Sequence, residues 1–332
     1  MNSGRWTVRF DTATEVNSLP SSPTQPTVSP PFSHLGITVL ERGWLSSNNI
    51  VAVGANQAAV IDTGYSSHAP QTVELVKGAL GGRTLDVIAN THLHSDHCGG
   101  NAALQAFYPR ARILIPPGQA EAVRHWDANS LTFEPTGQQC ARFGFDDLLV
   151  PGETIRLGDV DWEVHAARGH DPHSVVLFEP SHRVLISADA LWENGFGIVF
   201  PELDDEAGFD DVAATLRLIQ GLDPAWVIPG HGAVFADVSG AMTRARSRLA
   251  QFVERPDKHR RHALKVLIKF KLLEWQQASW DQLSDWFTAS DYFTRIAAKD
   301  SEDHTVDVLH ELVVELAAAS ALTFDNDLIR NV

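Results

Sequence analysis

The sequence predicts an α/β layered domain followed by a separate, mostly helical unit. Two observations carry this. From Leu35 to about Ala236, short β-branched runs alternate with helical patterns, the texture of a layered α/β core. Beyond about Asp237 the strand texture stops and helical periodicity takes over. A third observation marks where the fold begins. Residues 18–33, SLPSSPTQPTVSPPFS, hold five prolines and five serines, a composition that packs no element and reads as an extended arm or linker. The expected division is an arm over 1–34, an α/β domain over 35–237 and a helical domain over 238–332.

The elements follow in order. ITVL, NNIVAVG and AAVIDTG are β-branched runs punctuated by glycine and asparagine, as expected of consecutive strands. APQTVELVKGAL reads as a helix, with Pro70 in its first turn and Gly81-Gly82 just past its end. The strand LDVIAN follows, then a histidine-rich stretch and a helix over Asn101 to Phe107. Further strands are expected at ARILIP, VDWEVHAA, SVVLFEP, HRVLISAD and AWVIPG, with the helix FDDVAATLRLIQGL between the last two. In the C-terminal unit, 241–254 and 261–276 read as helices. A third helix begins near Ser279, with Gln282 as its capping-box partner. A fourth spans Thr305 to Ala318 on the apolar spacing Val306, Leu309, Leu312, Val313 and Leu316. ALTFDNDLI reads as a short strand, and no internal repeat is visible.

Composition narrows the function classes. The 332 residues are 44% hydrophobic and 20% charged, which supports a sizeable buried core. A net charge of -16 argues against a protein that coats nucleic acid or anionic membrane by bulk attraction. Two cysteines, Cys98 and Cys140, cannot build a disulfide framework and fit a reducing compartment. MNSGRWTVRF lacks the apolar core of a signal peptide, and no run of about 18 apolar residues suggests a membrane span. The expectation is a soluble cytoplasmic protein.

The stretch THLHSDHCGG, residues 91–100, crowds three histidines and an aspartate where a strand gives way to a helix. On extended chain, side chains at i and i+2 face the same way, so His92 and His94 can grip one ion. As the chain turns into the helix, Asp96 and His97 swing to a second position, and Gly99 and Gly100 allow close backbone approach. Two histidines alone make a weak site, because a stable zinc site wants three or four protein ligands. The remainder is expected at later strand ends on the same sheet edge, and three candidates stand there: His170 in RGHDPHS, Asp189 in LISADAL and His231 in VIPGHGAVF. His92, His94 and His170 can hold one metal, Asp96, His97 and His231 another, and Asp189 is placed to bridge them. With nitrogen and oxygen ligands throughout, two zinc ions are favoured, with iron or manganese as alternatives.

The pattern HxHxDH, then His, Asp and His, resembles that of the metallo-β-lactamase fold superfamily over roughly residues 35–236. The resemblance implies an αββα sandwich with metals at one edge, and a hydrolase in which catalysis centres on Asp96, Asp189 and the metals they hold. The implied chemistry is attack on an electrophilic carbon or phosphorus by a hydroxide between two cations about 3.5–4 Å apart. Asp62, in VIDTG, matches the family aspartate that orients a metal-bound histidine through its other ring nitrogen. Its plain alternative is a turn-former at a strand end. In element order and helix texture only, the C-terminal unit is similar to the winged-helix-like appendage of one branch, typified by β-lactamase-like protein 2 and some glyoxalase II-like hydrolases.

Other residues carry weaker signals. His173 stands where the family usually has a small residue, so it either contacts substrate or bonds locally. His165 and His182 read as strand or turn histidines, and Cys98 as a small buried side chain. The polar segment 117–150 lies where many relatives build a loop over the pocket; Arg142, Phe143 and Phe145 are its candidate substrate contacts, against a reading in which the loop packs on its own aromatics. Ten of the 26 Lys and Arg fall between Met242 and Lys271, either a solvated helix face or a basic rim for an anionic substrate.

The leading expectation is a binuclear zinc hydrolase acting on a small, possibly anionic ester, thioester or lactone. A single-strand endoribonuclease or other phosphodiesterase is the second reading. Only 41 residues separate Asp189 from His231, leaving no room for the large insert of mRNA-processing members, and no aromatic-basic interleaving for base stacking is present. A non-haem iron persulfide dioxygenase is the third.

Overall fold

The computed structural model describes residues 31–299 and 304–332. Of the expected arm, only the 3-10 turn Pro31–Ser33 and His34 fall within them; the rest lies outside the described residues.

The apolar runs form two sheets. The first holds β1 (Ile37–Leu40), β2 (Asn49–Val53), β3 (Ala58–Ile61), β4 (Val87–Ala89), β5 (Arg112–Ile115) and β6 (Asp147–Leu148), side by side in chain order. Its first three strands pair antiparallel and the rest parallel. The second runs β11-β10-β9-β8-β7, from β7 (Thr154–Leu157), β8 (Val160–Ala166), β9 (Val175–Glu179), β10 (Val184–Ala188) and β11 (Trp226–Pro229). Only β10 and β11 pair parallel there. β9 and β10 are buried at every position, which is why they read as continuous apolar runs rather than alternating ones.

Between the sheets, Ile50, Ile61 and Val87 meet Trp162, Leu177, Ile186 and Ile228 in one core. The first sheet's outer face carries α1 (Ala69–Leu80), α2 (Ser95–Cys98), α3 (Asn101–Phe107) and α4 (Ala120–His125), packed through Val76, Leu80 and Leu104. After the short α5 (Phe200–Leu203), α6 (Phe209–Leu222) and α7 (Val238–Glu254) cover the second sheet through Leu216, Ile219 and Leu249. The result is an αββα sandwich.

The C-terminal unit comprises α8 (Pro256–Trp275), β12 (Gln277–Ser279), α9 (Trp280–Thr288), α10 (Asp291–Ala298), α11 (Thr305–Ala318), β13 (Leu322–Asp325) and β14 (Leu328–Asn331). Its sheet runs β12-β14-β13, all antiparallel. Its core of Ile268, Phe287, Phe293, Leu309 and Leu312 also takes in Ile198 and Leu203 from the segment after β10. α7, which falls within the expected helical domain over 238–332, packs in the core of the sandwich.

Several elements differ from expectation. α7 begins at Val238, where the Asp237 carboxylate accepts from the Gly240 N–H, and α8 begins on Pro256 in its first turn. Ser279 caps α9 by accepting from the Gln282 N–H. The tail is a hairpin rather than a single strand. Asn326 and Asp327, at φ 46° and 72°, supply the two left-handed positions that a tight hairpin turn needs. Both β12 and α10 were unmarked in sequence: β12 is three residues long, and α10 is only eight, although Phe293, Ile296 and Ala297 recur in it at helical spacing.

Candidate metal centre

The seven side chains meet at one edge of the sandwich, because the strands that carry them end there. β4 leads through Asn90 and Thr91 into His92 and His94; α2 then carries Asp96 and His97. His170 lies in the β8–β9 connection, and Asp189 and His231 follow β10 and β11 directly. A left-handed Ala188, at φ 46° beside an irregularity in the β10–β11 register, turns Asp189 into the site.

Two groups form. In each, every residue offers a ligand atom within 4.8 Å of the others: His92, His94 and His170 in one, Asp96, His97, Asp189 and His231 in the other. Asp189 joins them, its Oδ2 3.4 Å from His170 Nε2 and its Oδ1 3.4 Å from His97 Nε2. His231 Nε2 lies 3.1 Å from Asp96 Oδ2 and 3.8 Å from Asp189 Oδ2.

The donor set fits divalent cations. Each of three histidines has one ring nitrogen committed elsewhere. His97 Nδ1 faces Asp62 Oδ2 at 2.7 Å, His170 Nδ1 faces Ile198 O at 2.6 Å, and His92 Nδ1 lies 3.2 Å from Thr91 Oγ1. Carbonyl and carboxylate oxygens can only accept, so His97 and His170 carry protons on Nδ1, which leaves Nε2 of each facing the site as the ligand atom. The inward Nε2 atoms of His92 and His97 are buried without a hydrogen-bond partner, an expense that a bound cation removes. His94 Nδ1 and His170 Nε2 stand 2.8 Å apart, two nitrogens aimed at one point.

Electrostatics agree. Burial, then the neighbouring histidines, push His92 well below its ordinary range; burial above all brings His94 to about 4. Both are neutral donors. Burial would lower His97 too, but Asp189, Asp62 and Asp96 outweigh it and raise that imidazole well above its usual range. Burial would raise Asp189, yet His97, His231 and His170 hold it well below the carboxylate range. Carboxylates clustered around one imidazole are a site that calls for positive charge.

Asp62 is buried at φ 56° and also accepts from Thr91 N and Oγ1, each at 2.8 Å. His231 is oriented by rings: Trp44 stacks on it at 5.3 Å and 7°, and Trp192 meets it edge-on at 5.6 Å. Trp192 Nε1 also donates to Asp189 Oδ1 at 3.1 Å. On the far side Phe200 lies 4.7 Å from His94 and 5.6 Å from His170. Sequence reasoning missed all three aromatics. Only Trp192, three positions after Asp189, carried a usable signal.

Other candidates stand apart from the seven. Phe143 is buried against Trp126 at 5.4 Å, Phe145 lies under Arg124 at 5.1 Å, and Arg142 donates to Arg124 O at 3.2 Å. They pack with α4 and its neighbours, and the cleft they line borders none of the seven. Arg142, Phe143 and Phe145, the expected substrate contacts, thus stand away from the seven ligands, in a segment that packs on its own aromatics. His173 is exposed, with its ring over Gly118 and its backbone N–H on Asp171. His165 pairs with Glu163 and His182 with Glu179, each at 3.0 Å. Cys98 is buried, its Sγ 3.8 Å from that of Cys140. Part of the basic stretch is paired within the chain: Arg244 with Asp237, Arg255 with Asp257, Arg261 and Lys265 with Glu315, and Lys271 with Glu274.

Comparison with known proteins agrees with this geometry. A family model described as the metallo-beta-lactamase superfamily matches residues 42–231. The chain is 26% identical over 188 residues to Hydroxyacylglutathione hydrolase GloC of Haemophilus influenzae, covering 53% of this chain and 80% of that protein. It is 29% identical over 224 residues to Acyl-coenzyme A thioesterase MBLAC2 of Homo sapiens, covering 58% and 76%. The crystal structure of a metallo-beta-lactamase family protein from Thermus thermophilus shares the fold with a TM-score of 0.52 at 19% identity, covering 90% of this chain and 99% of that one. With more than half of its length matched by the family model, the chain belongs to the metallo-beta-lactamase superfamily.

Proposed function

We propose that the protein is a metal-dependent hydrolase with a binuclear centre, zinc favoured, that cleaves a small thioester, ester or lactone. The observation that carries this is Asp189, one carboxylate within 3.4 Å of a histidine nitrogen in each group. His92, His94 and His170 would hold one ion, Asp96, His97 and His231 the other, with Asp189 between. Divalent cations held by these residues would supply a nucleophile from water at neutral pH and would polarise a scissile carbonyl.

The chain's own residues supply position. Asp62 and Ile198 O hold the protons of His97 and His170 on Nδ1, so the lone pairs face the site. Trp192 holds one oxygen of Asp189. Trp44, 38% exposed, and the half-buried Phe200 offer apolar walls on opposite sides for an acyl group. Among the three substrate classes thioesters are favoured, because two relatives are named as hydrolases of an acylglutathione and an acyl-coenzyme A.

The C-terminal order of helix, strand, three helices and a hairpin supports the winged-helix-like reading. A nucleic-acid substrate is not favoured: α11 carries Asp307, Glu311 and Glu315 and no Lys or Arg, and Arg261 is paired to two of those acids. Among the described residues no helix is long and apolar enough to cross a membrane. The free thiols of Cys98 and Cys140 support a reducing, cytoplasmic setting.

The test is a panel of thioesters, esters, lactones and phosphodiesters, with metal content measured on the same batch. Thioester turnover that disappears on chelation and in His231→Ala is expected. A fully metallated protein that turns over no member of the panel contradicts the reading.

A further inference from the structure

His170 keeps its Nε2 lone pair turned inward because Nδ1–H donates to Ile198 O. The same peptide unit is held from its other end: the Val199 N–H donates to His259 Nε2 at 3.1 Å. His259 belongs to α8, in the C-terminal unit, and is 1% exposed between the rings of Phe252 at 4.9 Å and Phe209 at 5.2 Å. Two imidazoles from different units thus grip one peptide bond.

We propose that His259 is a positioning residue for the metal centre: as a neutral Nε2 acceptor it fixes the Ile198–Val199 peptide, and that peptide fixes the tautomer and tilt of His170. The inference rests on the reading of His170 as a metal ligand.

Three observations support it. The hydrogen bonds run in one direction, from His170 Nδ1–H to the carbonyl, and from the amide N–H to His259, so each polarises the next. The flanking residues are fitted to the same ligands. A Cβ on Gly197 would fall 2.4 Å from His170 Nδ1; the Gly197 N–H donates to Asp189 O, and the Phe200 N–H to His170 O. Finally, the Ile198 side chain is buried in the C-terminal core, so this segment ties α8 to the ligands. Burial brings His259 down to about 4, which keeps its Nε2 an acceptor at neutral pH.

A merely space-filling His259 would be indifferent to the acceptor. The substitutions that separate the two roles are His259→Leu, which fills space without accepting, and His259→Gln, whose amide oxygen can reach the Nε2 position. Zinc affinity of each full-length variant is measured by chelator competition, with apoprotein melting temperature alongside and His170→Ala as reference. The expected result is that His170→Ala loses tight binding of one ion. His259→Leu then weakens that same ion by about 10- to 100-fold, the usual effect of losing an outer partner of a ligand, and His259→Gln restores it. Should His259→Leu fail to fold, His259→Asn, whose amide stops short of the Nε2 position, is expected to show the same weakening. Wild-type affinity in the Leu variant, or in the Asn variant if that replaces it, overturns the proposal, as does a Gln variant as weak as the Leu or Asn variant. If His170→Ala itself binds both ions normally, the ligand reading falls, and this proposal with it.

Discussion

The Asp62 carboxylate lies 2.7 Å from His97 Nδ1, and neither residue is more than 1% exposed. Asp62 does two jobs at one position: it adopts a left-handed backbone at the end of β3, and it holds Thr91 and His97 with its oxygens. Aspartate and asparagine both tolerate that backbone, but only aspartate offers acceptors alone.

Asp62→Asn is therefore expected to fold while presenting an amide where His97 needs an acceptor. Zinc affinity at the Asp96–His97–His231 group should fall about 10- to 100-fold, read by chelator competition, with little change in melting temperature. An affinity equal to wild type would remove Asp62 from the centre's support.

Gly230 leaves room for the carboxylate next to it. An added Cβ would lie 2.1 Å from Asp189 Oδ1 and 2.9 Å from His97 Cε1, and Trp192 blocks the carboxylate's retreat. Gly230→Ala should destabilise by about 1–3 kcal/mol in urea unfolding and lower metal content. Gly221→Ala, in α6 with nothing within 4 Å, should be neutral or stabilise by about 0.5–1 kcal/mol. Equal behaviour of the two variants would contradict this packing.

These cases show which features a sequence can display. α1, α3, α6 and α11 have the ends their apolar spacing and stop residues imply, because periodicity and capping act locally. The convergence of His170, Asp189 and His231 on the first cluster was also legible, since Asp189 and His231 come straight after apolar runs and His170 lies in the turn that follows another. Arg142, Phe143 and Phe145 were not, because an irregular segment has no period to say which side chains face inward. Nor was His259: its bond is made to a backbone amide 60 residues away and leaves no pattern in the spacing.

Lys271 and Glu274 form a buried pair at 2.6 Å, with Lys271 also bonded to Gly137 O and set against the rings of Trp275 and Trp286. Lys271→Met would strand Glu274 and should cost about 3–5 kcal/mol, whereas Lys271→Met with Glu274→Gln should recover most of it. If the double variant is no better than the single in denaturant unfolding, the loss comes from packing rather than charge.

The lowered His259 sets a pH dependence of stability. In the unfolded chain it protonates near 6.5; in the fold, burial holds it near 4. Between those values the unfolded state binds more protons, so stability falls with acidification, by up to about 1.4 kcal/mol per pH unit from this group. Unfolding free energy measured from pH 7 to pH 4.5 should decline less steeply in His259→Gln than in wild type. Parallel profiles would show that His259 protonates as easily inside the fold as outside it.

The central claim is that the two ligand groups each hold a divalent cation, and elemental mass spectrometry of the natively purified chain tests it most directly. Two equivalents of divalent metal per chain are expected, with at least one lost in both His170→Ala and His231→Ala. A wild-type protein free of metal, or variants that keep the full complement, would contradict it.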